Sequence, residues 1–254
     1  MDPTFEVKFL LQPSVVVEGQ LAKSVISVFN MPTAGRQIGV QFLDTNDKSI
    51  YRKDWSPRIR AFQDKDEYEL TYKKRYPITG IDMGGVEDAL SMARNDGFSR
   101  FGNRFKSQVE WGFSKMVLSI TREKSTPKAV EETNPPNQSS SREMLIDEAP
   151  DKFLHWDDVQ NWGRDALEQS RIFGPVPAAR WTGEWDGLEI DIEIWPIRSE
   201  RGCGEVEYVV EASFKVEGFE EASVARKKFL GFLQVNGWLL EKDSLKTRLV
   251  MERY

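Results

Sequence analysis

Charged side chains at alternate positions of several segments are the feature of this 254-residue sequence that could do chemistry. Arg58 and Arg60 alternate with apolar residues, and Asp191 and Glu193 do so further along the chain. Successive side chains of a β-strand point to opposite faces, so each pair lies on one face of its strand. Guanidinium groups bind phosphate oxygens through paired hydrogen bonds, and carboxylates suit Mg²⁺ or Mn²⁺. If such faces point into one cavity, they predict a site for a polyphosphate with a divalent cation.

The same alternation also has a simpler interpretation. An ordinary antiparallel strand often has one solvated face with scattered charge, and alternation alone does not say which face points inward. A polar interior that holds both signs of charge is costly unless a ligand neutralises it. The number of such faces favours the inward arrangement. The other faces of this kind carry Glu6 and Lys8; Glu69, Thr71 and Lys73; Glu205, Glu207, Glu211, Ser213 and Lys215; Lys246 and Arg248.

The elements that must position these residues are strands and amphipathic helices. Period-two alternation predicts strands at Phe5–Leu10, Val40–Asp44, Ser56–Gln63, Glu67–Lys74, Val109–Arg122, Leu188–Pro196, Glu205–Lys215 and Thr247–Arg253. Helical spacing predicts helices at Glu18–Phe29, Val86–Phe101, Lys152–Ile172 and Phe219–Asn236. Eight strands are enough to close a barrel. We therefore predict an α+β fold, an eight-stranded antiparallel closed β-barrel with helices packed on the outside.

Composition excludes several classes of protein. The chain has 41 acidic and 35 basic side chains, a net charge of −6 and a pI near 5.2. This balance argues against a globally cationic nucleic-acid binder, although a local basic groove is compatible with it. The hydrophobic fraction of 39% is enough to build a substantial core, so the chain is not globally disordered.

The single cysteine, Cys203, and the single histidine, His155, exclude an internal disulfide and a Cys/His zinc site. A Ser-His-Asp triad would need His155, which lies in a helical stretch rich in Trp and Asp, where a packing role is more common. One thiol fits a reducing compartment. The N-terminus has no secretory pattern and no apolar run is long enough to span a bilayer, so we expect a cytoplasmic protein without a membrane partner.

One segment, Lys124–Asp151, has a composition that cannot build a core, with several Pro, Ser and Asn residues. Strands resume after the next helix, so this segment is interpreted as a disordered or flexible insertion and not as a domain boundary. Residues 1–254 are predicted to form a single domain.

Three runs then match a known family in order and in residue type. They are Gln-Phe-Leu-Asp-Thr at 41–45, Trp-Ser-Pro-Arg-Ile-Arg at 55–60 and Glu-Leu-Thr-Tyr-Lys at 69–73. They are similar to the run Y-F-D-T … L-R-x-R … L-T-x-K of the CYTH domain, also called the triphosphate tunnel metalloenzyme superfamily. The N-terminal run at 4–8 resembles the signature E-x-E-x-K, with Thr4 in place of the first Glu. The resemblance covers nearly the whole chain outside the insertion.

The resemblance continues towards the C-terminus. Arg180, followed by the acidic strand with Asp191 and Glu193, is similar to the family's arginine strand and the acidic strand after it. The run that contains Glu211 resembles the family's downstream E-x-E pair, with Ser213 in place of the second Glu. The segment from Phe219 and the later Lys246 resemble the closing helix and the C-terminal lysine.

The family implies a tunnel in which basic residues grip a triphosphate and acids hold one or two divalent cations. Carried over by position, the phosphate grip is Lys8, Arg58, Arg60, Lys73, Arg180 and Lys246. The metal ligands for Mg²⁺ or Mn²⁺ are Glu6, Glu211 and one or both of Asp191 and Glu193. The residues with catalytic roles are Glu6, Lys8, Arg58, Arg60 and Glu193. Thr4 and Ser213 both remove a carboxylate from a metal-binding position.

The implied function is a metal-dependent hydrolase of a small triphosphate compound, in which water attacks the terminal phosphoryl group. Thiamine triphosphate is the first substrate expected, followed by inorganic triphosphate, in a monomer or a homodimer. Trp55, Trp181 or Trp185 could stack an aromatic substrate ring at the tunnel mouth, although packing is the more common role of such residues. Two alternatives stay open: a triphosphate- or polyphosphate-binding protein with little hydrolysis, and a repurposed tunnel enzyme that acts on another anionic metabolite.

Overall fold

The computed structural model describes residues 2–98, 105–128, 134–200, 204–243 and 246–254. Its strands are β1 (Thr4–Leu11), β2 (Val16–Val17), β3 (Gln20–Leu21), β4 (Arg36–Asp44), β5 (Trp55–Phe62), β6 (Glu67–Ile78), β7 (Lys106–Trp111), β8 (Met116–Pro127), β9 (Arg171–Trp185), β10 (Leu188–Arg198), β11 (Val206–Val216) and β12 (Leu239–Leu240). Its helices are α1 (Lys23–Val28), α2 (Met83–Asn95), α3 (Gln138–Asp147), α4 (Asp151–Leu154), α5 (Trp162–Glu168), α6 (Phe219–Val235) and α7 (Lys246–Arg253).

Nine strands of the described residues close into a barrel in the order β11–β10–β9–β4–β5–β6–β8–β7–β1, and β1 pairs with β11 to complete the ring. Neighbouring strands are antiparallel except for β1 and β7, which run parallel. Strand β12 adds to one end of β1, and β2 and β3 form a separate hairpin. The fold is α+β as predicted, with a closed mixed barrel.

The predicted count of eight antiparallel strands is wrong: one predicted strand is divided in two, one strand was missed and one predicted strand is a helix. The segment Val109–Arg122 is not one strand, because residues 112–115 form a turn in which the N–H of Gly112 donates to the carbonyl oxygen of Lys115 at 2.9 Å. Strands β7 and β8 lie on either side of this turn. Strand β9 lies outside the predicted set because prolines at 175 and 177 interrupt its alternation.

Segment Thr247–Arg253, predicted as a strand, is helix α7. Its buried residues Thr247, Val250 and Met251 recur at the three- and four-residue spacing of a helix. Lys246 and Arg248 therefore do not share a face. The side chain of Lys246 is only 16% exposed, whereas that of Arg248 is 64% exposed and pairs with Glu252.

The apolar outer face of the barrel is covered by helices, and this covering turns the charged faces inward. In β1, Phe5 and Phe9 are buried. The Phe5 ring lies 5.9 Å from that of Phe219, and the Phe9 ring lies 5.9 Å from that of Phe229, both on α6. Because side chains alternate along a strand, Glu6 and Lys8 face the interior.

Two of the predicted helices are shorter or interrupted. In Glu18–Phe29 the helix is limited to α1, because Glu18 and Gly19, with φ values of 50° and 76°, form the β2–β3 turn and β3 follows it. Lys152–Ile172 is divided into α4, a 3-10 turn and α5, with Asp157 and Asn161 in the left-handed region. Val86–Phe101 overlaps α2, although residues 99–104 lie outside the described part. Phe219–Asn236 corresponds to α6.

The prediction of a disordered insertion at Lys124–Asp151 is wrong for most of its described part. Strand β8 continues to Pro127, and α3 begins after Asn137, whose side chain accepts a hydrogen bond from the N–H of Ser140. Helix α3 docks because the Tyr72 hydroxyl donates to the carbonyl oxygen of Leu145 at 2.6 Å. Composition misses this helix because few of its residues are buried. Residues 129–133 lie outside the described part.

No helix in the part of the chain that the structure describes combines the length and the apolar character that a membrane span requires.

Candidate functional site

The barrel encloses a cavity of about 630 Å³ that is lined mainly by charged and polar side chains. The structure brings all the predicted site residues to this one cavity: Glu6, Lys8, Arg58, Arg60, Lys73, Arg180, Asp191, Glu193, Glu211 and Lys246. Thr4 and Ser213 line it too. The charged faces therefore converge inside the barrel, although the role of each residue stays a prediction.

A row of cations runs along the wall formed by β5 and β6. The register of this antiparallel pair sets the following residues opposite one another: Arg60 and Glu69, Arg58 and Thr71, Ser56 and Lys73. Adjacent strands lie about 4.8 Å apart, so the side chains of both strands reach the same space.

This wall has more positive than negative charge. The carboxylate of Glu69 is 3.5 Å from Arg60 Nη1 and 3.9 Å from Arg58 Nη2, so one acid faces two guanidinium groups. Burial, followed by repulsion from Arg60, lowers the pKa of Arg58 to about 9. Burial also lowers the pKa of Lys73. Burial disfavours the charged form of both groups, and at Arg58 the nearby Arg60 adds repulsion, so a bound anion would stabilise this wall.

Three guanidinium groups of the cavity have an unused donor. The Nε atoms of Arg58, Arg60 and Arg75 are buried and have no hydrogen-bond partner among the described residues. A buried donor without a partner costs free energy, typically about 1–3 kcal/mol. These guanidinium groups therefore keep hydrogen-bonding capacity that a bound anion can use once they turn towards it.

Glu193 is the centre of the opposite, acidic side. Its Oε1 accepts hydrogen bonds from Arg180 Nε at 2.9 Å and from Arg180 Nη2 at 2.6 Å. Its Oε2 accepts from Trp195 Nε1 at 2.9 Å and from Lys246 Nζ. Burial alone would raise the pKa of Glu193, but Lys246, Arg60 and Arg180 hold it well below its ordinary range. The carboxylate is therefore ionised and fully engaged.

The two remaining acids on this side are paired as well. Glu211 lies opposite Glu193 in the register of β10 and β11, and its Oε1 is 2.7 Å from Lys246 Nζ. Asp191 accepts a hydrogen bond from Thr182 Oγ1 at 2.6 Å and lies 3.6 Å from Arg180 Nη1. The ammonium group of Lys246 thus sits between two carboxylates.

Two solved structures share this architecture. HpAC1 from Hippeastrum, described as a candidate adenylyl cyclase with a dominant triphosphatase activity, aligns with a TM-score of 0.60 at 14% identity over 97% of this chain and 94% of that chain. A protein from Bacillus halodurans, described as a candidate adenylate cyclase, aligns with a TM-score of 0.50 at 13% identity over 97% of each chain. The chain therefore shares the fold of these two proteins, and the charged interior of its closed barrel forms a tunnel. Its sequence matches no family model and no curated protein.

The tunnel also contains Glu110, which the sequence analysis missed. Glu110 is 3% exposed, and its carboxylate bridges Lys8 Nζ at 2.6 Å and Lys73 Nζ at 2.8 Å and accepts a hydrogen bond from the Ser119 hydroxyl. The signal was present, because residues 108 and 110 alternate with the buried Val109 and Trp111. The sequence analysis predicted one continuous strand across the β7–β8 turn, and this error concealed the role of Glu110.

Arg75 is the second missed residue. It lines the tunnel two residues beyond Lys73, on the same face of β6. The predicted strand stops at Lys74, whereas β6 continues to Ile78. If the predicted strand had been extended beyond Lys74, alternation would have placed Arg75 on the same face as Lys73.

The residues present do not fit a bound divalent cation as they are arranged. Carboxylate oxygens suit Mg²⁺ or Mn²⁺, but Asp191, Glu193 and Glu211 are all paired with Arg180 or Lys246. No three acidic, histidine or cysteine side chains of the described residues lie together as a metal site. The metal stays an implication of the family resemblance, and no chemical step below depends on it.

The tryptophans do not provide a stacking platform at the tunnel mouth. Trp55 packs edge-on against Phe153 and Trp156, and Trp181 is completely buried. Trp185 packs 4.7 Å from Phe229, under α6. These residues belong to the packing that supports the barrel.

The remaining single residues lie away from the tunnel lining or outside the described part. His155 is exposed, and its Nδ1 accepts a hydrogen bond from the N–H of Asn161 at 3.2 Å. Cys203 lies outside the described residues.

We expect the stability of the protein to fall in acid because of Glu110. Burial would raise its pKa, but Lys73, Lys8 and Arg75 hold the folded-state pKa well below the ordinary 4.5. A depressed folded-state pKa adds stability that is present above the unfolded pKa and lost as pH falls through the folded one. Urea unfolding between pH 7 and pH 3 should show a smaller loss of stability in Glu110→Gln than in the wild type. Parallel pH profiles would contradict this assignment.

Proposed function

We propose that the tunnel binds the phosphate chain of a small triphosphate compound and hydrolyses its terminal phosphoanhydride bond. The observation that carries this proposal is the cationic wall, in which buried guanidinium donors of Arg58 and Arg60 have no partner among the described residues. A fully ionised phosphate chain supplies both the negative charge and the acceptor oxygens that this wall requires. The triphosphatase activity described for the structural relative HpAC1 adds support.

In the proposed reaction, Arg58 and Arg60 bind oxygens of the transferring phosphoryl group, and Lys73 binds a neighbouring phosphate. Preorganised cations stabilise the charge that spreads over these oxygens in the transition state. A water oxygen bonds to the terminal phosphorus in line with the bridging oxygen, whose bond to that phosphorus breaks. The products are orthophosphate and the shortened diphosphate.

Glu6 is the carboxylate best placed to orient the attacking water. Its side chain lines the tunnel and makes no hydrogen bond or ion pair with any residue that the structure describes. Glu193, the other acid predicted for this role, is already engaged by Arg180, Lys246 and Trp195. A general base needs a free oxygen within hydrogen-bond reach of the water, which only Glu6 of this pair supplies.

Of the two substrates expected, the tunnel favours inorganic triphosphate over thiamine triphosphate. Recognition of an aromatic ring commonly uses an exposed aromatic side chain. The aromatic residues that line the tunnel, Phe42, Phe62, Trp195 and Phe214, are each no more than 2% exposed. The substrate class proposed is therefore a phosphate chain without an aromatic group.

A binding protein with little hydrolysis is the second candidate, and one observation favours it. Thr4 and Ser213 line the tunnel at positions where the family signature has acids, and the acids that remain are mostly paired with cations. Such a tunnel retains an anion grip while it lacks carboxylates for catalysis. The two candidates are separated by orthophosphate release from tripolyphosphate, thiamine triphosphate, ATP and diphosphate, each in Mg²⁺, Mn²⁺ or EDTA. Turnover of a triphosphate supports the hydrolase, whereas binding without turnover supports the binder.

We expect binding of tripolyphosphate to persist after metal removal. The cationic wall is complete without a divalent ion, because Arg58, Arg60 and Lys73 supply the compensating charge. Calorimetric titration in EDTA and in Mg²⁺ should give affinities that differ by less than about tenfold, or 1.4 kcal/mol. Loss of all binding in EDTA would show instead that a metal ion is part of the anion site.

A further inference from the structure

Arg75 extends the cationic wall beyond the residues predicted for the grip. It follows Lys73 by two positions on β6, so both side chains enter the same face of the strand. Ser56 lies opposite Lys73, which places Arg75 past the end of the Arg60–Arg58–Ser56 row. Arg75 therefore lies further along the strands, at the inner end of the cation row.

The contacts of Arg75 differ from those of Arg180, another arginine that lines the tunnel. Arg75 Nη1 donates to Ser56 Oγ at 2.9 Å and Nη2 donates to Thr247 Oγ1 at 3.4 Å, so its partners are neutral hydroxyls. No acidic side chain in the described ranges forms an ion pair with Arg75, and its buried Nε has no partner there. Arg180, by contrast, is compensated by Glu193 and Asp191.

Glu110, whose pKa Arg75 helps to lower, is bridged directly by Lys8 and Lys73 and not by Arg75. A largely enclosed guanidinium that forms no direct ion pair is costly unless an anion joins it. The two hydroxyls beside it are donors as well as acceptors, so they can turn towards a phosphate oxygen. Thr247 belongs to α7 and also lines the tunnel, which places this helix at the inner end of the site. The arrangement has donors that suit a phosphate group: a guanidinium fork and two hydroxyl groups.

We propose that Arg75, with the hydroxyls of Ser56 and Thr247, binds the inner phosphate of the chain whose outer part lies on Arg58 and Arg60. This inference rests on the proposed function, because it assigns one further residue to the same anion. It makes Arg75 a substrate-binding residue and gives α7 a direct contact with the ligand through Thr247.

The test is calorimetric titration with tripolyphosphate of the full chain and of the variants Arg75→Met, Arg75→Lys and Arg58→Met. We expect Arg75→Met to weaken binding by about 10- to 100-fold, as for a lost charge-assisted hydrogen bond. Arg75→Lys keeps the charge and should recover part of the affinity. Arg164→Met is the matched control, because Arg164 is half exposed on α5, away from the tunnel lining, and forms an ion pair with Glu168.

A purely structural role for Arg75 predicts a lower melting temperature with unchanged affinity in the folded protein. If Arg75→Met does not fold, Thr247→Val and Ser56→Ala remove the hydroxyl groups and keep the charge, and each should weaken binding by a smaller factor. This inference is overturned if the folded Arg75 variants bind tripolyphosphate with wild-type affinity. If neither Arg75 variant folds, it is overturned if both hydroxyl variants bind with wild-type affinity. If Arg58→Met loses binding at the same time, the proposed function is retained. Absence of binding in the wild type would instead remove the proposed function.

Discussion

Replacing Arg58 by alanine lowers kcat/KM for phosphate release from tripolyphosphate by about 10²- to 10³-fold, or about 2.7–4 kcal/mol of transition-state stabilisation. The reason is that Arg58 lies in the middle of the cation row, and its buried Nε has no partner among the described residues. Removing it takes away a preorganised positive charge and leaves Glu69 to neutralise Arg60 more completely. Steady-state phosphate release by the wild type and by Arg58→Ala measures this effect.

The control for Arg58→Ala is Arg52→Ala, which removes the same charge from an exposed 3-10 turn. Arg52 pairs with Asp47 at the surface and is 63% exposed. We expect this control to retain wild-type activity. Equal activity of the wild type and Arg58→Ala would remove Arg58 from the phosphate grip. If the wild type binds tripolyphosphate without turnover, the same pair of variants is compared by affinity.

Replacing Glu193 by alanine lowers the free energy of unfolding by about 3–5 kcal/mol, the usual effect of breaking a buried ion pair. Glu193 is 6% exposed and compensates two cations, Arg180 and Lys246, while it accepts a hydrogen bond from Trp195. Without its carboxylate, the ammonium group of Lys246 keeps only Glu211. Urea unfolding at pH 7 measures the loss.

Glu200→Ala provides the matched control for Glu193→Ala. Glu200 is an exposed acid that pairs with Arg253 at 3.2 Å, and its side chain is 74% exposed. Surface pairs of this kind contribute less than about 1 kcal/mol. A loss in Glu193→Ala as small as in the control would show that the ion-pair cluster does not hold the barrel together.

The charged interior could be predicted because period-two alternation is a local property of the sequence. Glu6 and Lys8 share a face of their strand whatever the strand packs against. The direction of that face is not local, since it depends on Phe5 and Phe9 meeting Phe219 and Phe229, more than 200 residues away. The family resemblance supplied this direction, and the packing of α6 gives its physical cause.

Elements whose ends depend on turns could not be placed from alternation alone. Glu110 escaped because the turn at 112–115 lies inside an apparently continuous apolar pattern. Helix α7 escaped because Lys246 and Arg248 mimic a strand over three residues, whereas burial at Thr247, Val250 and Met251 follows a helix.

The ion pairs inside the site could not be predicted from the sequence pattern either. The family motifs assigned Arg180 and Lys246 to phosphate binding and Glu193 and Glu211 to metal binding. The structure pairs these groups with one another instead. Only distances between strands that are remote in sequence reveal such pairing, because each residue type alone is equally suited to a ligand.

The most direct test of the account is a crystal structure of the wild-type protein with bound tripolyphosphate. We predict a phosphate chain inside the barrel, with its oxygens within hydrogen-bond distance of Arg58, Arg60 and Lys73. A chain bound to the outer surface, with the interior donors of these residues unchanged, would contradict the assignment of the tunnel as a phosphate site.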